Sequence, residues 1–259
     1  MIKKIIFISL CLTGVFEIPF AQPKAKNAPP RFAVLALYEN GGHHLPFSKR
    51  ARTWLDQLAA DSNFSISYFT DTRSFSDSML QHFQVFLQLD FVPYGWSDTA
   101  QSAFEKYIAD PGHGWIGFHH ASLLGEFDGF PMWQWFSEFM GGIKWKDYIA
   151  GFAKATVHIE DPAHPVMKGL PADFTVAKDE WYTYDKSPRP KVQVIAHVDE
   201  SSYEPPSAVR MGDHPVIWSN KNYAARNVYV FMGHSPDLFD NNSYTAIFRN
   251  AIFWAAHQQ

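Results

Sequence analysis

Between residues 32 and 118 the chain alternates continuous apolar runs with segments of helical periodicity. This pattern constrains the fold more than any other feature of the sequence. Residues 32–38 (FAVLALY) carry no polar side chain, as expected for a strand buried on both faces. From residue 46 to 60, Phe47, Ala51, Trp54, Leu55 and Leu58 recur at helical spacing. Residues 66–69 read as a second strand, 76–83 as a short helix capped by Ser76 or Asp77, and 85–89 as a third strand. Ser97 and Asp98 can start a helix through Ile108, and residues 115–118 form the next strand. Such repetition predicts a doubly wound α/β fold with a parallel sheet and right-handed crossovers. The second half is richer in Pro, Gly and β signals. Residues 153–159, 192–198, 215–218 and 227–231 read as strands, and 243–256 as a closing amphipathic helix. No internal repeat and no linker after Pro30 divides the chain, so residues 31–259 read as one domain.

The first thirty residues are set apart. Lys3 and Lys4 precede an apolar run over residues 5–15, too short to span a bilayer, and Pro19-Phe20-Ala21 offers a small residue for cleavage. The expectation is a signal peptide over residues 1–21, a flexible leader over 22–30, and a protein exported to the periplasm or secreted. No transmembrane segment would remain after cleavage; an uncleaved anchor is the alternative. Cys11 is the only cysteine, so the exported chain has no disulfide, thiolate metal site or cysteine nucleophile. The formal charge is −4 and becomes −5 without Lys3, Lys4 and Glu17. No basic run survives, which argues against nucleic acid as a partner.

Five polar islands could carry chemistry. The first, Glu39-Asn40-Gly41-Gly42-His43-His44, follows the first strand. Its glycines permit an open loop there, although they do not make a dinucleotide fingerprint. The second, Gly114-Trp115-Ile116-Gly117-Phe118-His119-His120-Ala121-Ser122, delivers two histidines to a strand end. In open α/β sheets ligands bind at that end. Either histidine can serve as general base, electrophile or metal ligand, or one can simply pack while the other is exposed. The third, Asp161-Pro162-Ala163-His164-Pro165, reads as a rigid structural turn. The fourth is Lys178-Asp179-Glu180-Trp181-Tyr182. Carboxylates accept hydroxyl hydrogen bonds and aromatic faces cover C–H surface, which suits a polyol or sugar. On a strand Asp179 and Glu180 would point to opposite sides, leaving one in the cleft. The fifth, Phe231-Met232-Gly233-His234-Ser235, repeats the strand–glycine–histidine layout. Histidines and a carboxylate from separate strand ends could hold a divalent metal, although no compact zinc motif is present.

Read in order, these pieces resemble the ThuA-like (trehalose-utilisation) family. The resemblance is carried by the His43-His44 loop, GWIGFHHAS at 114–122, Met140-Gly141-Gly142, His164-Pro165 with Gly169-Leu170, Asp179-Glu180-Trp181-Tyr182, Asp213-His214-Pro215-Val216-Ile217-Trp218, Gly233-His234 and Asn250-Ala251-Ile252-Phe253-Trp254-Ala255. It implies a class I glutamine amidotransferase-like fold, related to flavodoxin-like architectures: a three-layer sandwich around a mostly parallel central sheet. The amidotransferases of that fold keep a cysteine on the elbow after a central strand. Here His119 takes that position, so glutaminase activity is not carried over. Many relatives have a single histidine followed by serine in the first loop; this chain has His43-His44-Leu45, and His44 is favoured.

The resemblance implies sugar catabolism. The expected function is therefore an enzyme acting on a sugar, glycoside or keto-sugar. His119, Glu180 and Asp179 are the expected catalytic groups, and His44, His234, Trp181 and Tyr182 the substrate contacts. His120 is expected to be a bystander. No cofactor is required by the sequence; a divalent metal, if bound, would use His44, His119 and His234. The alternative is a carbohydrate-binding protein without catalysis, its cleft lined from among Trp133, Trp135, Trp145, Trp181 and Tyr182. Trp133 and Trp135 on one helix would sit about 200° apart and could not share a cleft.

Overall fold

The computed structural model describes residues 28–258. The expected signal peptide and leader residues 22–27 lie outside the described residues. In chain order the strands are β1 (Ala33–Tyr38), β2 (Ser65–Phe69), β3 (Val85–Leu89), β4 (Gly114–Phe118), β5 (Trp145–Tyr148), β6 (Ala153–Ile159), β7 (Asp173–Asp179), β8 (Tyr182–Tyr184), β9 (Gln193–Glu204), β10 (Pro215–Ser219) and β11 (Arg226–Val230). Nine of them form one sheet in the order β2-β1-β3-β4-β11-β10-β9-β6-β7, and β5 pairs with β8 in a separate ribbon.

The sheet has two characters. β2, β1, β3, β4 and β11 are mutually parallel. Every pairing from β11 through β10, β9 and β6 to β7 is antiparallel. Only β10 and β6 run against the other seven strands, so most strand ends of one polarity share one edge. Connection length explains the change. Parallel neighbours need a crossover of a dozen or more residues. The link between β10 and β11 is only Asn220 to Ala225, so these strands must turn back on one another.

Helices cover both faces of the parallel half. On one face lie α1 (Leu45–Ser62) and α5 (Asn242–Ala255). Trp54 of α1 packs on Phe248 of α5 at 5.0 Å between ring centroids, and Phe118 of β4 meets Phe248 at 4.4 Å. The opposite face carries α2 (Asp77–Leu80), α3 (Asp98–Ile108) and α4 (Gln134–Phe139). There Phe104 touches Phe86 at 5.2 Å and Phe136 at 5.6 Å, and Trp115 meets Phe139 at 5.0 Å. Ser97 caps α3 by accepting the Ala100 N–H at 3.2 Å, and Asn241 caps α5 through Ser243 and Tyr244. No helix among the described residues is long and apolar enough to cross a membrane.

Trp133 and Trp135 depart from expectation. Trp133 precedes α4 with extended backbone, so helical spacing does not separate the pair. Their rings stack at 5.8 Å and both pack against Phe104, in the α3 layer.

Candidate active site at the carboxyl edge of the sheet

Four strands release their chains at the same edge. β1 runs into Glu39–His44, β4 into His119 and His120, β11 into Phe231–His234, and β7 into Glu180. The side chains that follow these ends converge.

His119 is fully buried and held in the left-handed region at φ +42°. A non-glycine residue there is strained, and such strain persists only where its surroundings enforce it. The Ser122 and Tyr229 hydroxyls each donate to the His119 carbonyl at 2.9 Å, and the Tyr184 hydroxyl donates to Ser122 Oγ at 2.8 Å. His119 Nδ1–H donates to the Phe231 carbonyl at 3.3 Å, which leaves a lone pair on Nε2. That Nε2 lies 2.9 Å from the Tyr182 hydroxyl and 3.4 Å from Glu180 Oε2. Gly233 makes this approach possible: a Cβ there would sit 2.8 Å from the Cβ of His119.

His44 ends the 3-10 turn Gly42–His44, whose Gly42 has φ +60°. Its Nδ1–H donates to Glu39 Oε2 at 3.1 Å, and its Nε2 lies 3.2 Å from His234 Nδ1. His234 Nδ1 is also 3.3 Å from Glu180 Oε2. The loop that carries His234 is held by Asp179. The N–H groups of Gly233, His234 and Ser235 donate to its carboxyl at 3.0, 3.0 and 2.8 Å.

Three expectations need correction. Asp179 is fully buried with its oxygens taken by three N–H groups, so it positions the loop and has no oxygen free for substrate. Trp181 is also fully buried; its indole N–H donates to the Ala153 carbonyl and its ring stacks on Phe231. It follows Glu180 in sequence but points into the core, whereas Tyr182 reaches His119. His120 is not remote either. Its ring centroid is 3.9 Å from that of His44, and its Nδ1 lies 3.4 Å from Glu39 Oε2.

The electrostatics favour neutral imidazoles beside ionised carboxylates. Burial brings the His44 pKa down to about 4, against the opposing hydrogen bond that His44 donates to Glu39. Burial likewise holds His119 well below the usual histidine range, with Glu180 opposing. For Glu39, burial alone would raise the pKa, but hydrogen bonds from His120 and His44 prevail and bring it to about 2. Glu180 behaves the same way: the neighbouring His119 and His234 imidazoles outweigh burial and hold it well below the carboxylate range.

Two residues were missed from the sequence. Glu39 was only part of a loop motif. Asp90 belongs to none of the polar islands, although it is a charged residue placed directly after the apolar strand β3. Asp90 is fully buried at φ +49°, and neither carboxyl oxygen has a hydrogen-bond partner. Burial raises its pKa well above the usual carboxylate value, and the charges of Asp179 and Glu39 add to this.

One ligand atom from each of His44, His119, His234 and Glu180 lies within 4.8 Å of all the others. A model of the trehalose-utilisation family, ThuA, matches residues 33–255. The chain belongs to the ThuA family. Membership implies a role in trehalose utilisation. Among solved structures, a ThuA-like protein from Bacteroides uniformis is 29% identical with a TM-score of 0.78, covering 91% of this chain and 95% of that one. A ThuA-like protein from Parabacteroides merdae is 16% identical with a TM-score of 0.63, covering 88% and 90%. A cytoplasmic protein from Salmonella typhimurium shares the fold at 13% identity and a TM-score of 0.55, covering 86% and 98%. No curated protein matches this chain at a significant level.

Proposed function

We propose that this ThuA protein is an exported enzyme of carbohydrate catabolism, acting on a sugar, glycoside or keto-sugar by proton transfer at His119. The observation that carries this reading is the convergence of His44, His119, Glu180 and His234 beside an aromatic rim. Phe130, Tyr148 and Phe152 are the exposed large hydrophobic residues among those described. Phe152 borders the cluster directly, and the other two lie further along a run of aromatic rings. Phe152 meets His234 edge-on at 5.0 Å. Tyr148 continues through Trp145 to Tyr182, with centroid steps of 6.3 and 6.2 Å. Phe130 joins through Tyr94 and Phe127 to Trp145, in steps of 6.3, 5.5 and 6.0 Å. Exposed aromatic faces beside carboxylates suit the mixed C–H and hydroxyl surface of a sugar.

In this mechanism the lone pair on His119 Nε2 accepts a proton from a sugar hydroxyl, or from carbon next to a keto group. Glu180, 3.4 Å away, stabilises the imidazolium that forms. The Tyr182 hydroxyl, 2.9 Å from Nε2, is placed to donate to the oxygen where charge develops. Glutaminase chemistry is not part of the reading. The resemblance to class I glutamine amidotransferase-like folds implies that His119 takes the elbow position of their cysteine, and residues 12–259 contain no thiol.

The test is to incubate the purified protein with trehalose, other glycosides and their keto derivatives, reading products by mass spectrometry. Turnover that falls about 10²-fold or more in His119→Ala supports the mechanism. Undiminished turnover in that variant overturns it. Sugar binding with no product from any substrate would make the protein a binding module instead.

A further inference from the structure

We propose that His44, His119, His234 and Glu180 form a site for one divalent transition-metal cation, with zinc as the reference ion. The proposal concerns the same cluster as the sugar chemistry above but goes beyond it. An ion on His119 Nε2 takes up the lone pair that the acid–base reading uses, so in the loaded protein His119 is a ligand and another group must accept the proton. Ion binding stands or falls separately from turnover.

The first argument is distance. Tetrahedral zinc with bonds of about 2.0–2.1 Å holds neighbouring ligand atoms about 3.3 Å apart. Here His44 Nε2 to His234 Nδ1 is 3.2 Å, His234 Nδ1 to Glu180 Oε2 is 3.3 Å, and His119 Nε2 to Glu180 Oε2 is 3.4 Å.

The second argument is a count of protons. His44 Nδ1–H is committed to Glu39 and His119 Nδ1–H to Phe231, so both Nε2 atoms present lone pairs. Glu180 Oε2 presents another. His234 Nδ1 touches both His44 Nε2 and Glu180 Oε2, and one N–H can serve only one of them well. The Tyr182 hydroxyl supplies one further proton, directed at His119 Nε2. The cluster therefore holds more acceptors than donors, and a cation at its centre removes the surplus.

The third argument is the supporting shell. Metal-binding histidines usually donate their second ring N–H to a carboxylate or backbone carbonyl, which fixes the tautomer. Glu39 does this for His44 and the Phe231 carbonyl does it for His119. Asp179 fixes the backbone of His234 instead. A second ion among Glu39, His44 and His120 would require both nitrogens of His44 as ligands, so Glu39 is assigned the orienting role.

A set of three imidazoles and one carboxylate suits zinc and neighbouring first-row ions rather than calcium or magnesium. His44 and His119 are buried, while the side chains of His234 and Glu180 retain 13% and 14% exposure. The accessible side faces Phe152 and its aromatic neighbours. A sugar hydroxyl or carbonyl oxygen entering there would have to join the four protein ligands as a fifth, where the ion would act on it as a Lewis acid.

The test uses the full chain stripped with a chelator and titrated with zinc chloride by calorimetry, with bound metal counted by mass spectrometry after dialysis. One equivalent per chain is expected, and the cobalt-loaded protein should show visible absorption of ligand-bound cobalt. His44→Asn and His234→Asn should each weaken zinc binding about 100-fold or more, and Glu39→Gln about 10–100-fold. His164→Asn, at a buried histidine elsewhere in the fold, should leave affinity unchanged. Absence of stoichiometric zinc, manganese, nickel and cobalt binding by the stripped wild-type protein overturns the proposal. So does retention of wild-type affinity in a folded His44→Asn/His234→Asn protein. Sugar turnover by a protein that takes up no ion in these titrations would sink this inference and leave the acid–base reading intact. Zinc binding without any turnover would do the reverse.

Discussion

The two edges of the central sheet hold equally buried histidines in different company. At the carboxyl edge His44 and His119 are 4% and 0% exposed; at the amino edge His164 and His113 are 7% and 8%. His164 Nδ1 accepts the Val166 N–H at 3.3 Å and its ring rests on Trp254. His113 stacks on Tyr107 at 4.2 Å. Neither hydrogen-bonds to a carboxylate among the described residues. Yet the amino edge has a well-formed cleft of about 440 Å³, lined by His164, Asn220, Arg226, Asn227 and Trp254 among others. Burial and concavity therefore do not locate the chemistry in this molecule. What separates the edges is whether ring nitrogens face backbone groups singly or face one another across a carboxylate.

The comparison can be broken most forcefully by substitution of Glu180. Glu180→Gln keeps the shape but removes the charge opposite His119, and sugar turnover should fall about 10²–10⁴-fold. His164→Asn should leave turnover within about twofold. Equal losses from the two variants would erase the distinction between the edges.

Asp179→Ala should produce the largest loss of stability. It strands three buried N–H groups, each costing about 1–3 kcal/mol. Urea unfolding should show a deficit of about 3 kcal/mol or more, with the His234 loop as the origin. A smaller change would mean that the loop finds other partners.

In pH dependence the two edges should look alike. Burial brings the pKa of both His44 and His164 down to about 4 in the folded protein, against the ordinary histidine value of 6.5. As pH falls, the unfolded chain takes the proton first, so stability is lost from about pH 6.5 down to about pH 4. The loss is on the order of 2 kcal/mol per residue after allowing for incomplete burial. Asp179 has the opposite sign. Burial raises its pKa to about 7, so its contribution is complete below its unfolded pKa near 3.8 and is lost as pH rises through 7. Melting temperatures of metal-free wild type, His44→Gln and His164→Gln across pH 4–7 should isolate similar histidine contributions. A flat difference for either variant would contradict its depressed pKa.

Within the site, the smallest effect should come from His120→Ala. It removes one partner of Glu39 but leaves His44 still bonded to it. Turnover should fall less than in His119→Ala by about tenfold or more; parity between the two would move the reacting group to His120.

The first half of the fold was legible because it obeys simple periods. Strands β1, β3 and β4 are buried at nearly every position, and the helices between them show one apolar face. β7 was missed because it is an edge strand with only Phe174, Val176 and Asp179 buried. The four-residue β5 and three-residue β8 are too short for a period to show. His44, His119, Glu180 and His234 were readable as polar residues placed just after strands or beside glycines. Glu39 and Asp90 carried the same mark but stood among residues that also suit ordinary turns.

The sequence alone determined that the amino-terminal half alternates strand and helix, that polar groups gather at strand ends, and that residues 12–259 have no thiol for covalent chemistry. These follow from local period and residue chemistry. Only the tertiary structure decided which of those groups meet. Strand order brings β4 beside β11, and the antiparallel return carries β7 far enough for Glu180 to face His119 and His234. It also turned Trp181 into the core and gave Asp179 to a backbone loop. Contacts between residues 54 to 190 positions apart are set by packing and strand register, and no local pattern encodes them.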